Sequence, residues 1–356
     1  MSKVSFMNIS RIFIILLLSA QPPDLHAQAA PGWVNNLERT FPSREWVAVT
    51  VQGASQAQAE TAAMDALARA FRTDVASLTR SSQQFSQIVN GASGNRNITF
   101  DESKNFSQEV NVSANVQGLI GVQIDVYRDG NRTVYVNARM NRRECAARYT
   151  GMIRENAAIV DALLAAAVTR HGTFEAYARL SFAHALAQVT DNFQNILEVL
   201  DSSAVNRRPG YGGANAIKVK MLECAALITI GVIVETEQAA DRTLLTRAAG
   251  SFFRDRGFRI NEQASPAAGS GGDYVLRVNA RFEVLSQNVI SCRYYLDAAL
   301  EDRNGLSIFS FTENDRKAHP NNQSEARRLA VQAAETSIKE EKFAHEFDSW
   351  LNSFLD

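Results

Sequence analysis

Cysteine, proline, histidine and net charge are all in short supply in this chain of 356 residues. The three cysteines, Cys145, Cys224 and Cys292, form no CxxC pair and no Cys/His cluster, which removes the usual zinc spacings. In an oxidising compartment they could make one bridge and leave one thiol over; we read them as small buried apolar residues. Seven prolines exclude long proline-rich linkers. With 37 basic against 38 acidic residues the formal charge is −1, so no bulk attraction to nucleic acid or anionic lipid follows. Long apolar runs are missing too. The best after the N-terminal region, Ala225 to Val234, falls well short of the ~20 residues that span a bilayer.

Catalytic signatures are equally scarce. His171, His184, His319 and His345 show no HExxH, HxH or HxxxH spacing. His184 falls off the apolar stripe of its helix and is expected in solvent. No GxSxG elbow, GxxxxGK[ST] loop, GxGxxG fingerprint or DxDxDG calcium loop occurs. Gly269 to Gly272 precedes a strand, so it lacks the helix N-terminus that makes a phosphate cradle. Acidic pairs such as Glu340-Glu341 read as solvated helix surface. We therefore expect no catalytic residue, no metal and no cofactor.

What is present begins with a leader. Lys3 and Arg11 flank an apolar run from Ile12 to Leu18, followed by Pro22-Pro23 and small-x-small sites ending at Ala27 and Ala29. That order predicts a secretory signal peptide over residues 1–27, cleaved after Ala27 or Ala29. No cysteine near the cleavage site offers itself for lipid attachment.

The remainder reads as an α+β protein: two small sheet-plus-helix domains joined by a helical hairpin. The first domain, 28–148, opens with a strand from Trp46 to Val51 ended by Gly53. An Ala-rich helix follows over 54–78, carrying Met64, Leu67, Phe71, Val75 and Leu78 on one face. A polar loop spans 80–105. Strands at Phe106 to Val116, Leu119 to Tyr127 and Thr133 to Met140 form a meander turning at Asp129-Gly130. Residues 149–205 form the hairpin, broken at Gly172. Residues 206–224 are read as a linker because NRRPGYGGAN is dense in glycine. The second domain, 225–356, runs β-α-β-β-β-β-α. Its strands include Ala225 to Val234, Asp273 to Ser286, Ile290 to Glu301 and Leu306 to Glu313, and its closing helix is capped by Ser324.

Two stretches resemble known families. Pro31-Gly32-Trp33, the strand reaching Gly53 and the Ala-rich helix resemble the Lpp-twenty outer-membrane lipoproteins and the N-terminal domain of flagellar assembly protein T. The lipid-bearing cysteine of the lipoproteins is missing here. Asp273-Tyr274-Val275-Leu276, Tyr294-Tyr295-Leu296 and the Asn304-Gly305 turn, over roughly 225–350, resemble the α/β domain of lipoprotein activators of penicillin-binding proteins. The curli-secretion lipoprotein is similar there too. These resemblances imply an exported bacterial envelope protein that binds other proteins, and neither supplies a catalytic residue.

The leading expectation is thus a non-enzymatic periplasmic or secreted assembly module acting at the outer membrane, peptidoglycan synthesis or the flagellar base. Envelope proteins, peptidoglycan or basal-body components would be its partners. The alternatives are a hydrolase using carboxylates or a serine, and a self-assembling structural protein. Phe343, Phe347, Trp350, Leu351 and Phe354 share one face of the closing helix. We expect that face to be core; the sharper alternative makes Trp350 and Phe354 partner anchors.

Overall fold

The computed structural model describes residues 29–71, 119–129, 132–261, 272–286, 290–320, 322–339 and 341–355. The signal peptide, Val75 and Leu78, the loop at 80–105, the strand expected at Phe106 to Val116 and Gly130 lie outside them.

Two short helices, α1 (Gly32–Asn35) and α2 (Leu37–Thr40), precede β1 (Trp46–Gly53) and α3 (Gln56–Ala70). Ser55 caps α3, its hydroxyl accepting the Gln58 N–H at 3.3 Å. Gly53 is required where the helix leaves the strand, since a Cβ there would lie 2.9 Å from that of Ala59. β2 (Gln123–Arg128) and β3 (Val134–Asn141) complete an antiparallel sheet in the order β1-β3-β2. The first strand thus closes onto the last, and α3 packs over β1 and β3. Leu119, expected to open β2, instead lies buried in the turn before it.

Asn141 caps α4 (Arg142–Thr169), and Thr173 caps α5 (Phe174–Leu200) after the turn at Gly172. The two helices pack antiparallel, with Asn156 donating to Thr190 at 3.1 Å inside the interface. The supposed linker holds a further helix, α6 (Ala214–Ala225). Gly213, at φ 86°, turns the chain, and the Asp191 carboxylate on α5 accepts the Ala214 N–H at 2.9 Å. The glycines that suggested a linker stop at that point, and a side chain 23 residues upstream supplies the cap.

The C-terminal sheet has the order β5-β4-β6-β7-β8. It is built from β4 (Thr229–Glu235), β5 (Arg259–Asn261), β6 (Tyr274–Ser286), β7 (Ile290–Glu301) and β8 (Ser307–His319). β4 runs parallel to β5 and β6, and the remaining pairs are antiparallel. β4 begins four residues later than expected, because Ala225 ends α6 and Leu227 and Ile228 fold back onto its last carbonyls. β8 runs six residues further than expected, to His319.

Three helices cover one face: α7 (Ala239–Arg254), α8 (Gln323–Lys339) and α9 (Glu341–Asn352). Asn322, not Ser324, caps α8; its side chain accepts the Glu325 N–H at 3.2 Å. α8 buries mainly small residues, Ala326, Ala330 and Ala334, against the sheet. α9 buries Phe343, Phe347 and Leu351 at helical spacing.

There are two buried clusters, and α5 contributes to both. Phe174 to Leu180 join the C-terminal core, whereas Ala183 to Leu200 join the N-terminal one. A 27-residue helix is about 40 Å long, enough to reach across both.

Candidate functional site

β8 is an edge strand, paired with β7 on one side and with no strand on the other among the described residues. Beside it, α9 leaves a cleft of about 670 Å³ lined by Ser310, Phe311, Thr312, Glu313, Lys342, His345 and Glu346. α9 is held there by its aromatic face. Phe343 meets Phe309 and Phe311 of β8 at ring separations of 5.6 and 5.2 Å, and Phe347 meets Phe309 at 5.6 Å. The opposite flank of α9 then presents Lys342, His345 and Glu346, all exposed, to the cleft.

Glu313 is the buried charge of this cleft, its side chain only 9% exposed. One carboxylate oxygen, Oε1, accepts from the Lys342 ammonium, and that bond and charge hold Lys342 above the ordinary lysine range. The other oxygen, Oε2, is buried with no donor in hydrogen-bonding geometry. The Tyr294 hydroxyl, on the same face of β7, lies within hydrogen-bonding reach of the Glu313 side chain. Burial first, and the charges of Glu313 and Asp315 second, push the Tyr294 hydroxyl upward and keep it protonated. Asp315 is held below the usual carboxylate range by hydrogen bonds from Lys317 and the Arg316 N–H.

Trp350 and Phe354 do not line this cleft. Both are half-buried against the C-terminal core, with Trp350 at 5.2 Å from Phe174, 5.7 Å from Phe309 and 5.2 Å from Phe354. His184 is a correction. It is half-buried under α6, and its Nδ1 donates to the Ala214 carbonyl at 2.9 Å. Burial lowers its pKa, the Ala214 bond partly opposing. The sequence reading counted one apolar stripe on α5, but α4 and α6 both pack on that helix. Cys145, Cys224 and Cys292 are free and buried, and burial raises each thiol. Among the described residues no group of three His, Cys, Asp or Glu side chains could hold a metal ion. No helix among them is long and apolar enough to cross a membrane.

No protein-family model matches the chain, and no curated protein does. Solved structures do. The secreted protein HP1454 from Helicobacter pylori is 12% identical, over 82% of this chain and 97% of its own, at a TM-score of 0.36. The lipoprotein GNA1162 from Neisseria meningitidis is 19% identical, over 31% of this chain and 97% of its own, at 0.23. A minor lipoprotein from Acinetobacter baumannii is 17% identical over 31% of this chain and 88% of its own, also at 0.23. TM-scores this low carry no inference about mechanism, and none of the families resembled in sequence is singled out.

Proposed function

We propose that the chain is an exported, non-enzymatic envelope protein that docks another protein along β8. The observation that carries this reading is the open thirteen-residue edge of β8 bordering a cleft. Edge strands left accessible template pairing with another chain, and strand addition is a recurrent mode of protein recognition. The leader-like residues 1–27 support export. The outer membrane, peptidoglycan synthesis and the flagellar base remain the candidate settings. A photo-crosslinking residue at exposed Thr312 on the β8 edge, compared with one at exposed Asn279 on the same face but inside the sheet on β6, tests the docking in intact cells. A discrete adduct at Thr312 alone, identified by mass spectrometry, is expected. Equal or absent labelling at both positions would refute it.

A further inference from the structure

Successive side chains of a strand point to opposite faces of its sheet. Four consecutive residues, Ser310 to Glu313, nevertheless line one cleft. The cleft therefore follows the edge of β8 and not a face, and alternate residues offer their N–H and C=O groups to it. The occupant that fits such a groove is an extended backbone lying between β8 and α9.

Charge decides what that backbone carries. Glu313 and Glu346 line the cleft against one ammonium, Lys342, which leaves excess negative charge there. An acidic segment or a nucleic-acid strand would be repelled. A second copy of β8 is disfavoured in the registers centred on its charged stretch. The registers centred on Phe311 or Thr312 oppose no like charges, and the dimer outcome of the test covers them. Directly opposed antiparallel residues must share a face of the sheet, so two-fold self-pairing is centred on a residue. Centred on Glu313, Asp315, Arg316 or Lys317, it sets that charge against itself; centred on Asn314, it sets Glu313 against Asp315. Each like-charge pair is destabilising.

We infer that the partner contributes an extended segment bearing lysine or arginine, which adds as a sixth strand beside β8. One basic side chain lies beside the Glu313 carboxylate, and another lies near Glu346. This inference rests on the docking reading above and gives it a chemistry.

The test uses the full mature chain and three capped heptapeptides: one alternating lysine and valine, its glutamate counterpart, and the lysine peptide N-methylated on alternate residues. Calorimetry follows binding, and hydrogen exchange follows the amides of Ser310 to Glu313. The lysine peptide should bind saturably and slow exchange at those amides. The glutamate and N-methylated peptides should each bind at least about tenfold more weakly. Glu313→Gln should weaken the lysine peptide by a similar factor. Glu346→Lys, at an exposed position that leaves folding intact, should do so without changing the melting temperature. Equal binding of the lysine and glutamate peptides, indifference to N-methylation, no saturable binding at millimolar peptide, or a β8-mediated dimer would each overturn the inference. A Thr312 crosslink obtained together with failed peptide binding removes the basic strand and leaves the docking reading standing. Loss of both removes both.

Discussion

Replacing Phe347 by alanine tests the packing that holds α9, and with it one wall of the cleft. Phe347 has no exposed surface. Its ring meets Phe174 of α5 at 6.0 Å, Phe252 and Phe253 of α7 at 5.6 and 5.3 Å, Phe309 of β8 at 5.6 Å and Trp350 at 5.4 Å. Burying a phenylalanine contributes about 1.5–3 kcal/mol in transfer alone. Deleting it leaves a cavity whose walls come from two other helices and a strand, so the site cannot collapse by moving one element. Edge-on ring pairs add about 0.5–1.5 kcal/mol each, but they share one ring and do not sum. We therefore expect a loss of about 3–5 kcal/mol, the range for buried phenylalanine truncations. Urea unfolding of the mature chain, followed by tryptophan fluorescence, measures it as a shift of the midpoint. Phe347→Leu keeps most of the volume and should lose less than about 1.5 kcal/mol. Trp350→Ala removes a half-buried ring and should lower the melting temperature by a smaller but clear amount. A Phe347→Ala loss below about 1 kcal/mol would refute the core reading. An unchanged melting temperature for Trp350→Ala would return that residue to the role of partner anchor.

Three further expectations follow. Asp241 of α7 and Arg327 of α8 form an ion pair at 2.6 Å with side chains 10% and 17% exposed, and the contacting atoms share no aligned hydrogen bond. Asp241→Ala should cost about 3–5 kcal/mol by stranding the guanidinium, whereas the double change Asp241→Leu with Arg327→Met should recover most of it in a thermodynamic cycle. His184 has a folded pKa below its unfolded value, so the folded state binds fewer protons and stability falls as pH drops below about 6.5. Lys218 opposes its protonation, while Asp191, itself raised by burial, favours it. His184→Asn, which keeps a donor for Ala214, should flatten the slope of stability between pH 7 and 5; an unchanged slope would exclude His184 as its source. N-terminal sequencing of the native protein should begin at Gln28 or Ala30, and recovery of Met1 would end the case for export.

Helices were the legible part of this fold because their burial repeats on a side-chain period. α5 and α7 lie close to where their apolar spacings place them, since each turns a regular stripe toward a sheet or a helix; the aromatic face expected on one closing helix sits instead on α9, a helix separate from α8. What sequence spacing missed are the features settled by tertiary partners. α6 looked like linker because its N-terminal N–H is capped by Asp191, a residue that no local pattern connects to Ala214. His184 looked solvated because its cover is that same unforeseen helix. Asn322 outcompetes Ser324 as a cap through geometry at a single N–H, a difference too small for composition to register.

The cleft was illegible for a deeper reason. Its defining feature is the main chain of β8, and the sequence reading ended that strand at Glu313 because Asn314-Asp315-Arg316-Lys317 lacks apolar alternation. The strand continues since Arg293 and Cys292 of β7 pair with Arg316 and Lys317, and ladder bonds are indifferent to side chains. Polar, charged residues are also what an open edge carries when indiscriminate pairing must be avoided. The residues that hid the strand from a hydrophobicity pattern are thus the ones to which the proposed docking assigns partner selection. Asp315 and Lys317 neutralise each other on one face, Arg316 bonds Ser291 on the other, and Glu313 pairs with Lys342 at the cleft. A bare apolar edge would accept many strands. The docking proposed above uses the charges of this edge to select among strands.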